Sequence, residues 1–281
     1  MKPARRRELA EWLIATFGVP VIRACALAAF SRAAWYRPSR ARDQTALRAR
    51  IRELALARPR FGFQRIWVLL RREGWTVNLK RVRRLYRLEG LQRRLRVRRR
   101  KHRSLHRGPA PVPTGPAQRW SMDVVHDALA DGRQFRILTV VDQWSRQSPI
   151  LEVGFRMNGT TVGAALDQAI VTYGKPTSIT CDHGTEFMSR VLEDWAYTRG
   201  VQLDFTRPGK PTDNSDIESF NGKRRDECLN VTQFSDIAHA QQVIAAWRID
   251  YNEVRPHGAL GHLTPAEFAS HRQDHQAQEA A

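Results

Sequence analysis

Three acidic residues in the second half of the chain could together bind divalent metal ions. Asp123 lies in the first predicted strand, Asp182 directly follows the fourth, and Glu218 lies on the helix after the fifth. In a mixed sheet, side chains at these places can converge although they are far apart in sequence. Clustered carboxylates repel one another, so the arrangement makes sense chiefly if a divalent cation neutralises them. An all-oxygen ligand set suits Mg²⁺ or Mn²⁺ rather than zinc.

Other residues near these acids have structural interpretations. Asp127 is the nearest alternative to Asp123, because residues 121, 123, 125 and 127 share one strand face, and we interpret it as a neighbour. Asp142 ends the second predicted strand, where an acid commonly caps a turn. Glu186 is expected in the first turn of a helix. Gly184 is expected to supply a backbone angle that the start of this helix needs.

The spacing of apolar residues predicts the elements that position the acids. After Pro116 the pattern changes from helical to strand-like, and Asp131-Gly132 is a hairpin signal between the first two strands. We predict strands at residues 120–125, 135–141, 149–153, 178–181 and 201–205, and helices at 161–173, 186–199 and from about 215. Three antiparallel strands followed by alternating helices and strands predict a mixed α/β fold.

Charge divides the chain into a basic front and an acidic back. Residues 1–110 contain 31 of the 47 Lys and Arg residues but 6 of the 28 Asp and Glu residues. The front therefore carries a formal charge of +25 within a total of +19. This asymmetry indicates a nucleic-acid partner for the front half and a reaction that needs carboxylates in the back half.

The basic half is predicted to form two helix-turn-helix units, at residues 1–38 and 39–92. In the first unit, Ser31 is the predicted N-cap of a short third helix. In the second unit, helices are predicted at residues 45–58, 64–73 and 79–88, and Asn78 is the predicted N-cap of the last. Tandem units of this kind on a basic segment favour a DNA-binding function.

The last helix of the second unit is the predicted DNA-reading element. An apolar stripe of Val82, Leu85 and Leu88 is expected to hold it against its own unit. The rest of its surface is basic and is left for phosphates or base edges. The predicted DNA-binding residues here are Arg81, Arg84 and Arg87.

Residues 93–117 are predicted to be a basic, proline-rich linker, because like charges repel and prolines cannot join a strand ladder. No stretch resembles a transmembrane span or a secretory signal. The three cysteines are in no disulfide or metal-ligand spacing. We therefore expect a cytoplasmic, nucleoid-associated protein with no membrane partner.

Several long motifs occur in an order that resembles one protein family. They are residues 120–123 (WSMD), 181–187 (CDHGTEF), 208–223 (PGKPTDNSDIESFNGK) and parts of 251–265 (YNEVRPHGALGHLTP). In addition, 35 residues separate Asp182 from Glu218, and a basic residue, Arg225, lies seven positions after Glu218. Over nearly its whole length the chain resembles the second-reading-frame product of bacterial transposases of the insertion sequence three family. These belong to the DDE transposase and retroviral integrase superfamily.

The resemblance implies an RNase H-like integrase catalytic core at residues 118–270, a mixed five-stranded sheet with helices, followed by a tail at 271–281. It also implies two Mg²⁺ or Mn²⁺ ions per active site, one shared by Asp123 and Asp182 and the other by Asp123 and Glu218. Arg225 would then grip the terminal DNA of the element. Lys210 and Lys223, which lie before and on the predicted helix that carries Glu218, are further expected DNA contacts.

Two positions depart from the family pattern. His183 stands where relatives more often have Asn, and Asp216 adds a charge beside Glu218 where an apolar residue is common. We expect Asp216 to point away from the metal ions. Near the end of the chain, Tyr251, Asn252, Arg255 and His257 are expected to tie the last helix to the core rather than take part in the chemistry.

Three functions compete at this point. The first is a transposase that cleaves element ends and transfers strands, acting on double-stranded DNA as a homo-oligomer, with an upstream-frame product as partner or fusion. The second is a catalytically inactive DNA-binding regulator, which leaves the three acids without a role. The third is a ribonuclease of the RNase H type, which does not explain the two DNA-reading units or the spacing of Arg225.

Overall fold

The computed structural model of the chain describes residues 3–37, 43–92, 112–207 and 214–271. Backbone contacts divide the chain into two units, Met1–Leu47 and Arg48–Ala281. Across the four described ranges, no helix is both long enough and apolar enough to cross a bilayer. The predicted linker at 93–117 lies largely outside the described residues, as does the predicted tail.

The first unit contains three short helices, α1 (Pro3–Phe17), α2 (Val21–Leu27) and α3 (Arg32–Tyr36). Its small core is formed by Ala10, Ala24 and Ala28. Helix α3 begins where it was predicted to begin, but the side chain of Ser31 makes no capping hydrogen bond. An extended backbone at Ser31 starts the helix without that bond.

The second unit begins within α4 (Thr45–Ala57) and continues with α5 (Phe63–Arg72) and α6 (Leu79–Leu88). We call residues 48–92 the helical part. Asn78 caps α6 as predicted, because its side chain accepts a hydrogen bond from the backbone N–H of Lys80 at 2.8 Å. Val82 and Leu85 are buried, but Leu88 is 64% exposed. The expected apolar stripe is therefore one residue shorter, because Leu88 ends the helix beyond the packed surface.

The sheet is five-stranded and mixed, as predicted, with the order β3-β2-β1-β4-β5. Its strands are β1 (Arg119–Ala128), β2 (Gln134–Asp142), β3 (Ile150–Gly154), β4 (Ser178–Cys181) and β5 (Gln202–Phe205). Strands β1, β2 and β3 pair antiparallel, whereas β4 pairs parallel with both β1 and β5. Gly132 takes a positive φ of 85° in the turn between β1 and β2, which explains the hairpin signal.

Helices cover both faces of the sheet. These helices are α7 (Gly159–Tyr173), α8 (Arg190–Arg199), α9 (Ser215–Glu227) and α10 (Ile237–Ile249). We call residues 112–271 the sheet part. Trp120 and Met122 of β1 pack into the core beneath α7 and α8. Val125 of the same strand packs into a second core with Phe220 of α9 and residues of α10. This alternation along β1 places α9 against the face opposite to α7.

The helical part and the sheet part contact each other within the second unit. Arg58 makes a two-point ion pair with Asp250, and Arg72 pairs with Glu267 at 2.7 Å. The guanidinium carbon of Arg255 lies 5.3 Å from the centre of the Phe61 ring. The helical part is therefore fixed against the sheet part.

Candidate active site

Asp123 and Asp182 lie on neighbouring parallel strands. Trp120 of β1 pairs with Ile179 of β4, and Ser121 pairs with Thr180. The same offset places Asp123 opposite Asp182, one residue beyond the end of β4. Neighbouring strands lie about 4.8 Å apart, so the two aspartates come close together at the point where β4 stops.

Burial and mutual repulsion raise the pKa of Asp123 to about 6. Burial is the larger cause, and the carboxylate of Asp182 is the second. The backbone N–H of Val124 and the side chains of Arg224 and Asn221 favour the charged form, but they offset only part of the shift. The site is therefore short of positive charge, as expected of a place that receives cations.

The turn after Asp182 approaches its carboxylate closely. The backbone N–H of Gly184 donates to Oδ1 of Asp182 at 3.0 Å. A Cβ at Gly184 would lie 3.1 Å from that oxygen and 3.1 Å from Cδ of Glu186, whereas the φ of Gly184 is not positive. The expectation of a special backbone angle at Gly184 was wrong, and close approach is the reason for glycine.

Helix α8 begins later than predicted. Ser189 is its N-cap and accepts a hydrogen bond from the backbone N–H of Leu192 at 3.4 Å. Glu186 therefore lies in the turn before the helix, not in its first turn, and accepts a hydrogen bond from Thr185. The capping side chain of Ser189 determined the start of the helix, and the acidic residue upstream did not.

Helix α9 is held against β1 on both sides of Glu218. Just before the helix, Nδ2 of Asn214 donates to the backbone carbonyl of Met122 at 3.2 Å. Within it, Nδ2 of Asn221 donates to Oδ2 of Asp123 at 2.6 Å. Glu218 lies one turn before Asn221 and is exposed. Asn221 was not among the residues predicted from the sequence, although its position three residues after Glu218 was a usable signal.

The oxygen atoms around Asp123 are suitable ligands for a divalent cation. Two carboxylates face each other, and Oδ1 of Asn221 is buried without a hydrogen-bond partner among the described residues. In the same ranges, no group of three or more His, Cys, Asp or Glu residues is arranged to hold a metal ion. The structure thus brings Asp123 and Asp182 together, and Glu218 does not complete a three-carboxylate group with them.

The helical part reaches the other side of α9. Arg60 pairs with Asp226 at 2.9 Å, and its Nη1 lies 4.0 Å from where a Cβ on Gly222 would be. Glu218, Gly222 and Arg225 share one helix face, and Glu218 and Arg225 are exposed. This face therefore lies between Asp123 on one side and Arg60 on the other.

The predicted DNA contacts have different surroundings. Arg84 and Arg87 of α6 are exposed and Arg81 is partly exposed, whereas Lys210 lies outside the described residues. Lys223 is partly buried, and its pKa is lowered to about 8 by burial and then by Arg255, Arg146 and Arg65.

The residues given structural interpretations have structural partners. Oδ1 of Asp142 accepts from the backbone N–H groups of Trp144 and Ser145, so it caps a turn as predicted. Asp216 makes an ion pair with Arg146. Asn252 exchanges two hydrogen bonds with the backbone of Ser148, at 2.8 and 3.0 Å, which confirms its expected tying role.

Other interpreted residues have partners of their own. Asp127 accepts from the backbone N–H of Ala128. The ring of His183 lies 5.5 Å from that of Phe205, centre to centre. Buried His257 packs edge-on against the ring of Tyr251 at 4.7 Å, so both belong to the core.

Asp123→Asn is expected to raise the free energy of unfolding at pH 7, in metal-free buffer, by about 1–3 kcal/mol. The raised pKa means that the folded protein binds more protons than the unfolded chain between about pH 4 and pH 6. The extra proton binding stabilises the folded protein at low pH, and this contribution to the free energy of unfolding is lost as the pH rises through that window. Urea unfolding at pH 7 and pH 4.5 measures the effect, and the gain should shrink at pH 4.5.

The exposed residue Asp194 provides the control, since Asp194→Asn should change the unfolding free energy by less than about 0.5 kcal/mol at either pH. A destabilised Asp123→Asn protein, or a gain that is equal at both pH values, would contradict the electrostatic account of the site.

The mixed sheet, its paired aspartates and the basic helical part define the class of protein: a polynucleotidyl transferase of the integrase type. Residues 113–211 and residues 199–265 each match a family model described as an integrase core domain. Residues 41–101 match a model described as an HTH-like domain. These matches cover the helical part and most of the sheet part.

Curated relatives identify the family. The chain is 46% identical over 252 residues to the insertion element IS407 uncharacterized 31.7 kDa protein of Burkholderia multivorans, with 88% of this chain and 90% of that protein covered. It is 40% identical over 282 residues to the insertion element IS476 uncharacterized 39.2 kDa protein of Xanthomonas euvesicatoria, with 100% and 81% covered. The chain belongs to the insertion sequence three family of transposases.

A solved structure shows the same fold at low sequence identity. It is a chain in the cryoEM structure of the simian T-cell lymphotropic virus intasome in complex with PP2A regulatory subunit B56 gamma. The TM-score is 0.50 and the identity 14%, and the match covers 78% of this chain and 74% of that one. The predicted integrase-like sheet is therefore confirmed as a fold.

Proposed function

We propose that this transposase cleaves the ends of its insertion element and joins them to target DNA, using two divalent metal ions held by Asp123, Asp182 and Glu218. The arrangement of α9 is the observation that carries the proposal. Asn221 of this helix bonds Asp123, and Glu218 lies one turn earlier, beside the same site. A small change in the Glu218 side chain or the start of α9 would add the third carboxylate when DNA and metal are present.

The acidic residues and Asn221 have separate tasks in this proposal. Asp123 and Asp182 would hold one Mg²⁺ or Mn²⁺ ion, and Asp123 and Glu218 would hold the other. Bound ions of this kind activate the attacking oxygen and stabilise the leaving oxygen of an in-line phosphoryl transfer. Asn221 fixes the orientation of the Asp123 carboxylate. The nucleophile is water in cleavage and a DNA 3′-hydroxyl in strand transfer, so no covalent bond to the protein is formed.

The contact between the helical part and α9 supports a continuous path for DNA. Double-stranded DNA bound to the exposed arginines of α6 would cross the face of α9 that carries Arg225 before it reaches Asp123. Arg225 and Lys223 would contact its backbone, and Lys210 precedes this helix in the sequence. Because two element ends must be joined, at least two protomers take part, together with the upstream-frame product as partner or fusion.

Replacing both Arg84 and Arg87 with Gln is expected to weaken binding of element-end DNA and to make it less dependent on salt. Each lost phosphate contact lowers the slope of log K against log salt by about 0.9, so the slope should fall by about 2. Fluorescence anisotropy at 50–200 mM salt measures this change.

The control replaces Arg133 and Arg199, two arginines of the sheet part that are paired with Asp131 and Asp167. The control should keep the parent slope. Equal slopes in the α6 variant and the parent would remove α6 from the DNA interface.

A strand-transfer assay tests the proposed reaction. Labelled terminal-repeat DNA from the flanks of the coding region is incubated with target DNA, the protein and the upstream-frame product. We expect joined product with Mg²⁺ or Mn²⁺ and none with EDTA. DNA binding without product under every metal condition would contradict the proposal.

A DNA-binding regulator without catalytic activity is the second candidate. It is favoured by one observation, that Glu218 does not complete a three-carboxylate group with Asp123 and Asp182 among the described residues. The regulator binds the same terminal repeats but gives no joined product in the assay above. Mn²⁺ that fails to bind even in the presence of DNA would also favour it.

A further inference from the structure

Arg224 is a fully buried arginine on α9. It has 0% exposure, and its Nε, Nη1 and Nη2 have no hydrogen-bond partner among the described residues. It lies one turn after Phe220 and one turn before Cys228, on the face of α9 that packs into the core. Burying a guanidinium without hydrogen bonds is energetically unfavourable, so its position needs an explanation.

The main ionised neighbour of Arg224 is Asp123. Cys228 also acts on Arg224, but burial raises the pKa of that thiol to about 11, so the thiol is neutral at pH 7. Asp123 comes next, Arg225 opposes it by repulsion, and Asp127 contributes less. Arg224 itself stays charged, because its lowered pKa is still about 10. Asn221, which donates to Oδ2 of Asp123 at 2.6 Å, lies one turn before Arg224 on α9. The fixed positive charge of Arg224 therefore lies one helical turn from the residue that contacts a carboxylate proposed to bind metal.

We propose that Arg224 is an internal counter-cation of the acid site, which weakens the binding of divalent metal ions by Asp123 and Asp182. The inference rests on the proposed metal site. An ion approaching Asp123 meets the repulsion of a buried unit charge, which water screens poorly. In the absence of metal, the same charge partly neutralises Asp123. The guanidinium of Arg224 and a bound metal ion therefore each weaken the attraction between Asp123 and the other.

Mn²⁺ binding to the full-length protein tests the proposal without any measure of activity. Calorimetric titration compares the parent with Arg224→Met, which keeps the length of the side chain and removes its charge, and with Arg224→Lys, which keeps the charge. We expect about tenfold tighter Mn²⁺ binding in Arg224→Met and a change of less than about twofold in Arg224→Lys.

Arg199→Met is the control, because this arginine of α8 is exposed to solvent and lies outside the proposed metal and DNA sites. Its charge is screened, so Mn²⁺ affinity should change by less than about threefold. Arg224→Leu is a second neutral variant in case Arg224→Met does not fold. If neither neutral variant folds while Arg224→Lys does, the guanidinium is a structural requirement and the proposal is wrong.

Asp182→Asn distinguishes a failure of the role proposed for Arg224 from a failure of the proposed metal site. If this change abolishes Mn²⁺ binding and Arg224→Met still binds Mn²⁺ like the parent, the role of Arg224 is overturned and the metal site stands. If Asp182→Asn leaves Mn²⁺ binding of the parent and Arg224→Met unchanged, the metal site itself is wrong, and the role of Arg224 falls with it.

Discussion

Glu218→Gln is expected to reduce strand transfer by at least about a thousandfold, while binding of element-end DNA changes by less than about threefold. The amide keeps the size of the side chain but removes the negative charge that we propose holds the second metal ion. Because Glu218 is exposed, the fold should be unaffected. Single-turnover strand transfer and DNA anisotropy measure the two quantities.

Glu193→Gln is the matched control for this experiment. Glu193 is also an exposed glutamate in the first turn of a helix, α8, so its loss has the same effect on the helix dipole. Its activity should stay within about twofold of the parent. Strand transfer by Glu218→Gln at the level of this control would remove Glu218 from the reaction.

Arg255→Met is expected to lower the free energy of unfolding by about 3–5 kcal/mol. Arg255 is fully buried, and its Nε and Nη2 donate to the two carboxylate oxygens of Glu227 at 2.9 and 2.6 Å. Removing the arginine leaves the Glu227 carboxylate buried without its partner. It also removes the cation from the ring of Phe61, which loosens the helical part. Urea unfolding followed by tryptophan fluorescence measures the loss.

Two variants test whether the loss comes from the uncompensated charge. Adding Glu227→Gln to Arg255→Met should restore more than half of the lost stability, because an amide is less costly to bury than a carboxylate. Arg133→Met breaks an exposed pair with Asp131 and should cost less than about 1 kcal/mol. Equal losses for Arg255→Met and Arg133→Met would contradict the structural role of the buried pair.

Local patterns predicted the elements that carry the site. The prediction for β4, residues 178–181, agrees with the observed strand, and the range 79–88 agrees with α6. Both segments combine a clear apolar period with turn or capping residues at their ends, so neighbouring residues alone determine their limits. The close approach of Asp123 and Asp182 was predictable as well, because the strand order and register that bring them together follow from the topology of the sheet.

Contacts between distant residues could not be read in the same way. Arg58 and Asp250 are 192 positions apart, and no periodicity joins an arginine after α4 to an aspartate after α10. Arg225 was assigned a DNA contact from the family resemblance, and no prediction was made for Arg224, because sequence alone does not distinguish exposed Arg225 from buried Arg224. That difference depends on how α9 packs on β1, a tertiary property.

A crystal of the protein bound to its element-end DNA, soaked with Mn²⁺, tests the proposed three-carboxylate site most directly, because anomalous scattering locates each metal ion. We predict two peaks about 3.5–4 Å apart, one between Asp123 and Asp182 and the other between Asp123 and Glu218. Peaks elsewhere, or a DNA-bound site in which Glu218 contacts no metal ion, would contradict the account.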